Sequence, residues 1–253
     1  EMSGESSSRT DIGIPDVQVT LLQKLLQTGK PVVLVLFSGR PLTLRWENEH
    51  VPAILNVWFG GTEAASAIAD VLFGDVNPSG KLPMTYPQNV GQIPLYYNHK
   101  NTGRPLSPGK WFEKFRSNYL DVSNEPLYPF GYGLSYTSFE YGDIKLSSSS
   151  IDTHGELIVS VDVTNTGNID GAEVVQLYLR DVMGSVTRPV KELKGFEKVF
   201  LKAGESRTVY FKITVELLKF YNYDLKYVFE PGEFEIMIGG NSKDLKSVRC
   251  VVN

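Results

Sequence analysis

The sequence predicts an α/β region followed by an all-β region. Two short, continuously apolar runs, Pro31 to Phe37 and Ala53 to Phe59, have the texture of strands covered on both faces, as in an open, mostly parallel sheet. Segments with apolar residues at helical spacing flank both runs. From Phe139 onward, apolar and polar residues alternate with period two, the mark of strands with one buried face.

In chain order, Pro15 to Thr28 carries Val17, Leu21, Leu22, Leu25 and Leu26 on one helical face, and Gly29 is placed to end it. Gly60-Gly61 closes the second apolar run. Thr62 to Leu72 then offers Ala65, Ile68, Ala69 and Leu72 at helical spacing, with Thr62 in the N-cap position. The order helix, strand, helix, strand, helix is that of an open α/β sheet. Two strands are too few for a doubly wound domain, so further sequence is expected upstream of Glu1.

Between Gly74 and Tyr136 the chain changes character, with prolines from Pro78 to Pro129 and many aromatics between them. A flexible linker would be richer in Gly and Ser and poorer in aromatics, so this stretch reads as extended chain packed on other domains. Beyond it, Leu157, Val159, Val161 and Val163 form one alternating set. Val175, Leu177 and Leu179 form another, as do Val209, Phe211 and Ile213, and Phe234, Ile236 and Ile238. About seven such strands, separated by Gly, Asn and Asp turns, predict an immunoglobulin-like β-sandwich. No Cys pair is present to make it an antibody-type domain.

Composition narrows function by exclusion. With 253 residues, 42% hydrophobic and 21% charged, the chain can bury a core without a disulfide or a metal. A formal charge of −4 argues against nucleic-acid binding, and no run of 18 apolar residues predicts a membrane span. Cys250 is the single cysteine and reads as a small buried hydrophobe. His50, His99 and His154 lack metal-ligand spacing. No metal or cofactor is expected.

Gly74 to Lys81 superficially resembles a phosphate-binding loop, but it has five residues between its glycines, and Leu82 stands where a Ser or Thr would reach magnesium. It is read as a structural turn. There is no Gly-x-Ser-x-Gly elbow for a hydrolase triad. Glu5 lies in a polar Gly/Ser loop leading into the α/β region, a usual place for catalytic side chains. A solvated surface carboxylate fits the same sequence, and Arg9 fits either its partner or a loop-bracing ion pair.

Longer strings carry a resemblance. Met2-Ser-Gly-Glu-Ser-Ser-Ser-Arg-Thr-Asp11, Gly29-Lys-Pro-Val-Val-Leu-Val-Leu36 and Gly39-Arg-Pro41 come first. Then follow Ala69-Asp-Val-Leu-Phe-Gly-Asp75, Asn77-Pro-Ser-Gly-Lys-Leu-Pro83, Gly91 to Pro105, and Tyr128-Pro-Phe-Gly-Tyr-Gly-Leu-Ser-Tyr136. In this order they make the chain similar, over essentially its whole length, to the C-terminal part of bacterial periplasmic β-glucosidases of glycoside hydrolase family 3.

The resemblance implies a partial α/β sandwich at 1–100, an extended connecting segment at 101–136 and a fibronectin-III-like domain at 137–253. It implies a retaining exo-acting β-glycosidase that needs no cofactor, is periplasmic or extracellular, and acts on a β-linked oligosaccharide or glycoside. The nucleophile would be an aspartate on an N-terminal barrel domain, which this chain lacks. Glu5 matches the acid/base, with Glu1 as its rival, and the chain alone is expected to be inactive. Arg9 is expected to orient Glu5 or bind substrate. Trp46 and Trp58 are candidates for sugar stacking or for core packing, with packing favoured. His99 and Arg104 are expected to be structural, and Tyr128 to Tyr136 to clamp the sandwich to the α/β domain. Two rival readings keep other possibilities open: specificity for β-xylose, arabinose or N-acetylglucosamine, and a non-catalytic carbohydrate-binding or domain-docking module.

Overall fold

A computed structural model describes residues 3–107, 109–152 and 155–253, with Ser3 and Gly4 described by their backbone. His154 and Glu1 lie outside the described residues. The chain divides into two compact units. The first comprises Glu1–Val76, Met84–Leu95 and Asn118–Tyr128; the second comprises Asn77–Pro83, Tyr96–Ser117 and Pro129–Asn253. The proline-rich stretch thus visits both units in turn.

The first unit begins with a two-stranded hairpin, β1 (Ser3–Gly4) and β2 (Ser7–Ser8). Helix α1 (Asp16–Leu26) follows, with Asp16 in its first turn and Lys24 in its last, both favourable to the helix dipole. Gly29 adopts φ 71° and donates its N–H to the Leu26 carbonyl at 3.1 Å, closing the helix as its sequence position suggests. Strand β3 (Val33–Leu36), helix α2 (Arg45–His50), strand β4 (Ala53–Asn56) and helix α3 (Ala64–Phe73) complete the α/β part. β3 and β4 pair in parallel, Val33 opposite Ala53 and Leu36 opposite Asn56.

Two local expectations differ from the structure. Thr62 does not cap α3. The helix starts at Ala64, its N-cap is Glu63, and no side chain caps it. The Ala64 N–H bonds the Gly61 carbonyl, so Thr62 lies inside the preceding turn. Nor is β3 covered on both faces: Leu36 is buried, but Val33 and Phe37 are 46% and 62% exposed. Within the described residues this sheet has only the two strands, which leaves apolar faces uncovered. On α1, similarly, Leu22 is buried while Val17 is 75% exposed.

Two later segments return to this unit and are stitched together by a buried amide. Gln92 accepts from the Gln88 N–H at 2.6 Å and donates to the Ser123 and Glu125 carbonyls at 3.0 and 3.2 Å. Tyr86 bridges Tyr128 through backbone bonds of 2.9 and 3.4 Å. A buried polar side chain with every group satisfied fixes one arrangement of the segments it joins.

The second unit is built of strands β5 (Phe139–Tyr141), β6 (Lys145–Leu146), β7 (Ser150–Ile151), β8 (Glu156–Asn165), β9 (Gly171–Asp181), β10 (Glu192–Leu201) and β11 (Ser206–Thr214). After the short helix α4 (Val215–Leu218) come β12 (Phe220–Tyr221), β13 (Tyr227–Val228), β14 (Gly232–Gly239) and β15 (Leu245–Val252). One sheet has the order β10-β9-β14-β15-β7, antiparallel except for the parallel β15–β7 pair. The other runs β11-β8-β5, with β6 also on β8. The alternating sets anticipated from sequence all enter one hydrophobic core fed by both sheets, with Cys250 among them. Burial there pushes the Cys250 thiol up to about 11.

β9 breaks the alternation. Tyr178 and Gln176 point away from that core yet are buried as well. Gln176 donates to the Gly131 and Gly240 carbonyls and accepts from the Tyr178 hydroxyl. The Tyr178 ring meets Tyr97 edge-on at 5.8 Å. Chain from outside the sheets therefore covers this second face. On the side of Val175 and Leu177, Glu173 of β9 forms an ion pair with Lys81 at 3.1 Å.

Truncating the core residue Leu177, 1% exposed, to Ala is expected to lower unfolding stability by about 2–5 kcal/mol in denaturant titration. A cross-strand test concerns Asp162, which accepts from Lys145 Nζ at 2.8 Å and from the Thr208 hydroxyl. These bonds hold its carboxyl below the ordinary 3.8. A depressed carboxylate stabilises the fold above its unfolded value and loses that contribution as pH falls through the folded one. Asp162→Asn should therefore melt below wild type at neutral pH, and the gap should narrow as the pH drops below 3.8.

Candidate active site

Glu5 and Ser6 are the two central residues of the β1–β2 hairpin, between the pairs Ser3–Ser8 and Gly4–Ser7. Glu5 is exposed at its tip. Ser6 has φ 57°, a left-handed value that costs a non-glycine residue about 1–2 kcal/mol. Strain of this kind gathers at functional loops, where the surrounding structure over-determines the backbone.

The segment leaving the hairpin is tied to the loop that follows β3. Arg40 Nη2 donates to the Arg9 carbonyl at 2.6 Å, and the Thr43 N–H donates to the Ile12 carbonyl at 3.1 Å. The Arg9 guanidinium stands 3.8 Å from Asp11; Asp11 in turn accepts the Gly13 N–H at 2.9 Å. The structure thus puts Glu5 and Arg9 on one short segment and pairs the Arg9 side chain with Asp11. Glu1, the rival carboxylate, lies outside the described residues.

Beside this segment the first unit has a cavity of about 620 Å³. Thr10, Asp11, Thr43, Asn89, Tyr119 and Asp121 contribute to its wall. Hydroxyls, carboxylates, an amide and one aromatic ring suit a neutral polyhydroxylated ligand and disfavour an anion. Asn89, Tyr119 and Asp121 gave no signal in sequence, because the wall joins segments more than a hundred residues apart.

A second polar cluster sits at the carboxyl ends of the parallel strands, where open α/β sheets place their functional loops. Ser38 follows β3, and Asn56 ends β4. Both neighbour the Tyr86 hydroxyl, yet no hydrogen bond of good geometry reaches the Ser38 hydroxyl, the Asn56 amide or the Tyr86 hydroxyl. Burial pushes the Tyr86 phenol up to about 12. Its ring packs edge-on against Trp58 at 6.0 Å and Tyr128 at 5.8 Å, and the Tyr128 hydroxyl donates to Asn48 at 2.8 Å. Trp58 is held at φ 48°.

Trp58 therefore packs within an aromatic cluster, while half-buried Trp46 stacks on His50 at 4.6 Å. His99 and Arg104 belong to the second unit. The His99 carbonyl accepts the Val190 N–H, and the Arg104 carbonyl accepts the Ser117 N–H. Among the described residues, no group of three or more His, Cys, Asp and Glu could hold a metal ion. None of the described helices is long and apolar enough to cross a membrane.

The family model for the glycosyl hydrolase family 3 C-terminal domain matches residues 1–136. The chain belongs to that family. A fibronectin type III-like domain model matches residues 173–242 of this glycosyl hydrolase family 3 chain. Among curated proteins, it is 56% identical over 245 residues to a periplasmic beta-glucosidase of Salmonella typhimurium, covering 97% of this chain and 32% of that protein. It is 46% identical over 251 residues to a beta-xylosidase of Formosa agariphila, covering 98% of this chain and 34% of that one. Among solved structures, the beta-glucosidase from Listeria innocua in complex with glucose superposes with a TM-score of 0.94 at 47% identity, covering all of this chain and 35% of that one. The chain spans about a third of the length of the curated relatives it matches.

Tyr86 offers a direct test of the buried cluster. Tyr86→Phe removes a hydroxyl with no well-formed hydrogen bond and should change stability by less than about 1 kcal/mol. Tyr86→Ala removes the ring between Trp58 and Tyr128 and should cost about 3–5 kcal/mol. Denaturant melts of the two variants separate the contributions.

Proposed function

We propose that this chain is the C-terminal part of a retaining, exo-acting β-glycosidase, a β-glucosidase by preference, with Glu5 as its general acid/base. The observation that carries the reading is the placement of Glu5: exposed at the tip of a hairpin whose exit is pinned to the loop after β3. A carboxyl presented on such a mount can reach a glycosidic oxygen bound by another part of the protein. In a retaining enzyme the nucleophile stands roughly 5–5.5 Å from the acid/base; here it would be an aspartate of an N-terminal barrel domain. Glu5 would protonate the leaving oxygen and then, as base, activate the water that releases the sugar. Arg9 would serve substrate binding or the orientation of Glu5. The reaction so written draws on no metal or cofactor, and this chain alone would not turn over.

The uncovered apolar residues of the first unit support a partner of this kind. Val17, Leu21, Val33, Phe37 and Phe73 are all exposed, more than an isolated α/β domain would leave to water. In this reading 1–100 belongs to an α/β sandwich, 101–136 connects, and 137–253 is a fibronectin-III-like sandwich formed by the two sheets of the second unit. The name of the Salmonella typhimurium relative supports a periplasmic location, the extracellular alternative resting on the resemblance alone. The names of both curated relatives support a β-linked glycoside as substrate. The beta-xylosidase relative favours one second reading, the same machinery acting on β-xylosides.

The test is hydrolysis of aryl β-glucosides and β-xylosides by the full-length product, wild type against Glu5→Gln. The reading expects a loss of about 10²–10⁴-fold, partly rescued by azide or by a leaving group that needs no protonation. Near-normal turnover would remove Glu5 from the site. Preference for the xyloside would select the second specificity, and no hydrolysis of either would favour a non-catalytic binding or docking module.

A further inference from the structure

We propose that Arg40 is a positioning residue for the Glu5 acid/base; this rests on the reading of Glu5 given above. Arg40 stands on a mount that its neighbours restrict from both sides. A Cβ built on Gly39 would meet the Phe59 ring at 3.0 Å, so a residue without one lets the loop pass close beneath that ring. Pro41 confines the backbone of the residue before it to extended conformations. The Arg40 guanidinium is thereby presented from a constrained loop that leaves the carboxyl end of β3.

Its target is the Arg9 carbonyl, 2.6 Å away and partly shielded from solvent. That carbonyl lies immediately after β2, four residues beyond Glu5. A charged donor to a backbone carbonyl is short, strong and directional. The second tie between the same segments, from the Thr43 N–H to the Ile12 carbonyl, is made by backbone and lies farther from the hairpin. Loss of the Arg40 side chain therefore leaves the segment docked at Ile12 and frees the end that carries Glu5. Ser6 in the same hairpin is left-handed, and a backbone strained in this way persists where the surrounding structure over-determines it. An anchor three residues on, at the Arg9 carbonyl, fits that need.

A mispositioned acid has a distinctive kinetic signature. Glycosidic bonds with poor leaving groups need protonation as they break, whereas dinitrophenolate leaves without it. In the full-length enzyme, Arg40→Met keeps the stem and loses the donor. It should lower kcat/KM for an alkyl β-glycoside, or for the β-xyloside if that specificity holds, by about 10–100-fold. The kcat/KM for the 2,4-dinitrophenyl glycoside should stay nearly unchanged. Arg40→Lys, which restores one charged donor, should recover part of the loss, and the melting temperatures of both variants should stay close to wild type. Equal losses on both substrates, or no loss on either, would overturn the proposal. Glu5→Gln, run on the same two substrates, keeps the two ideas separable. If Glu5→Gln shows the leaving-group dependence and Arg40→Met does not, the positioning role alone fails. If Glu5→Gln shows none, the reading of Glu5 fails and the role of Arg40 goes with it.

Discussion

The parallel pairing of Val33–Leu36 with Ala53–Asn56 is the constraint on which the candidate site depends. Parallel neighbours end at the same edge of the sheet, so the loops leaving both strands emerge together. Those loops carry Ser38, Gly39 and Arg40 on one side, and Val57, Trp58 and Phe59 on the other. The Val57 N–H extends the pairing by bonding the Leu36 carbonyl at 2.9 Å, so the two loops start in fixed register. Slipping that register by one residue would turn Leu36 outward and carry the loop that holds the Arg9 carbonyl out of line.

The second unit solves a different problem. Two sheets sharing one core bury period-two faces well, but β9 lies centrally and is covered on both sides. Its second face carries Gln176 and Tyr178, while Glu173 lies on the side of Val175 and Leu177, and these polar groups are tolerated because partners meet them. Gln176 is satisfied by two carbonyls and a tyrosine hydroxyl. Glu173 meets Lys81 and the Tyr141 hydroxyl. Burying such groups unpaired would cost far more than burying a valine, so this cover is specific and requires particular chain on top of it.

Much of the fold could be read from residues. The helix ended by Gly29, the two apolar strands and the alternating sets of the β region all stand where their periodicity indicates. The misreadings are instructive. Thr62 has the chemistry of an N-cap, but the tight turn at Gly61 delays the helix past it. On β9 the alternating set Val175, Leu177 and Leu179 indicates one buried face, but alternation reports only whether one face differs from the other. It cannot report that distant chain will cover the polar one.

For the site, the sequence by itself determined that Glu5 stands in a polar loop before the α/β region, and motif strings are what suggested the acid/base role proposed for it. The sequence also determined that Arg40 is set between a glycine and a proline, since both restrictions are local properties of the backbone. Only the tertiary structure decided what Arg40 reaches. Its bond to the Arg9 carbonyl joins residues 31 apart in sequence, across a strand and a helix whose packing no local pattern encodes. The cavity wall and the Ser38, Asn56 and Tyr86 cluster were decided in the same way. Hydrogen bonds and cavities form between side chains brought near by the folding of intervening chain, and that nearness is a property of the whole packed unit.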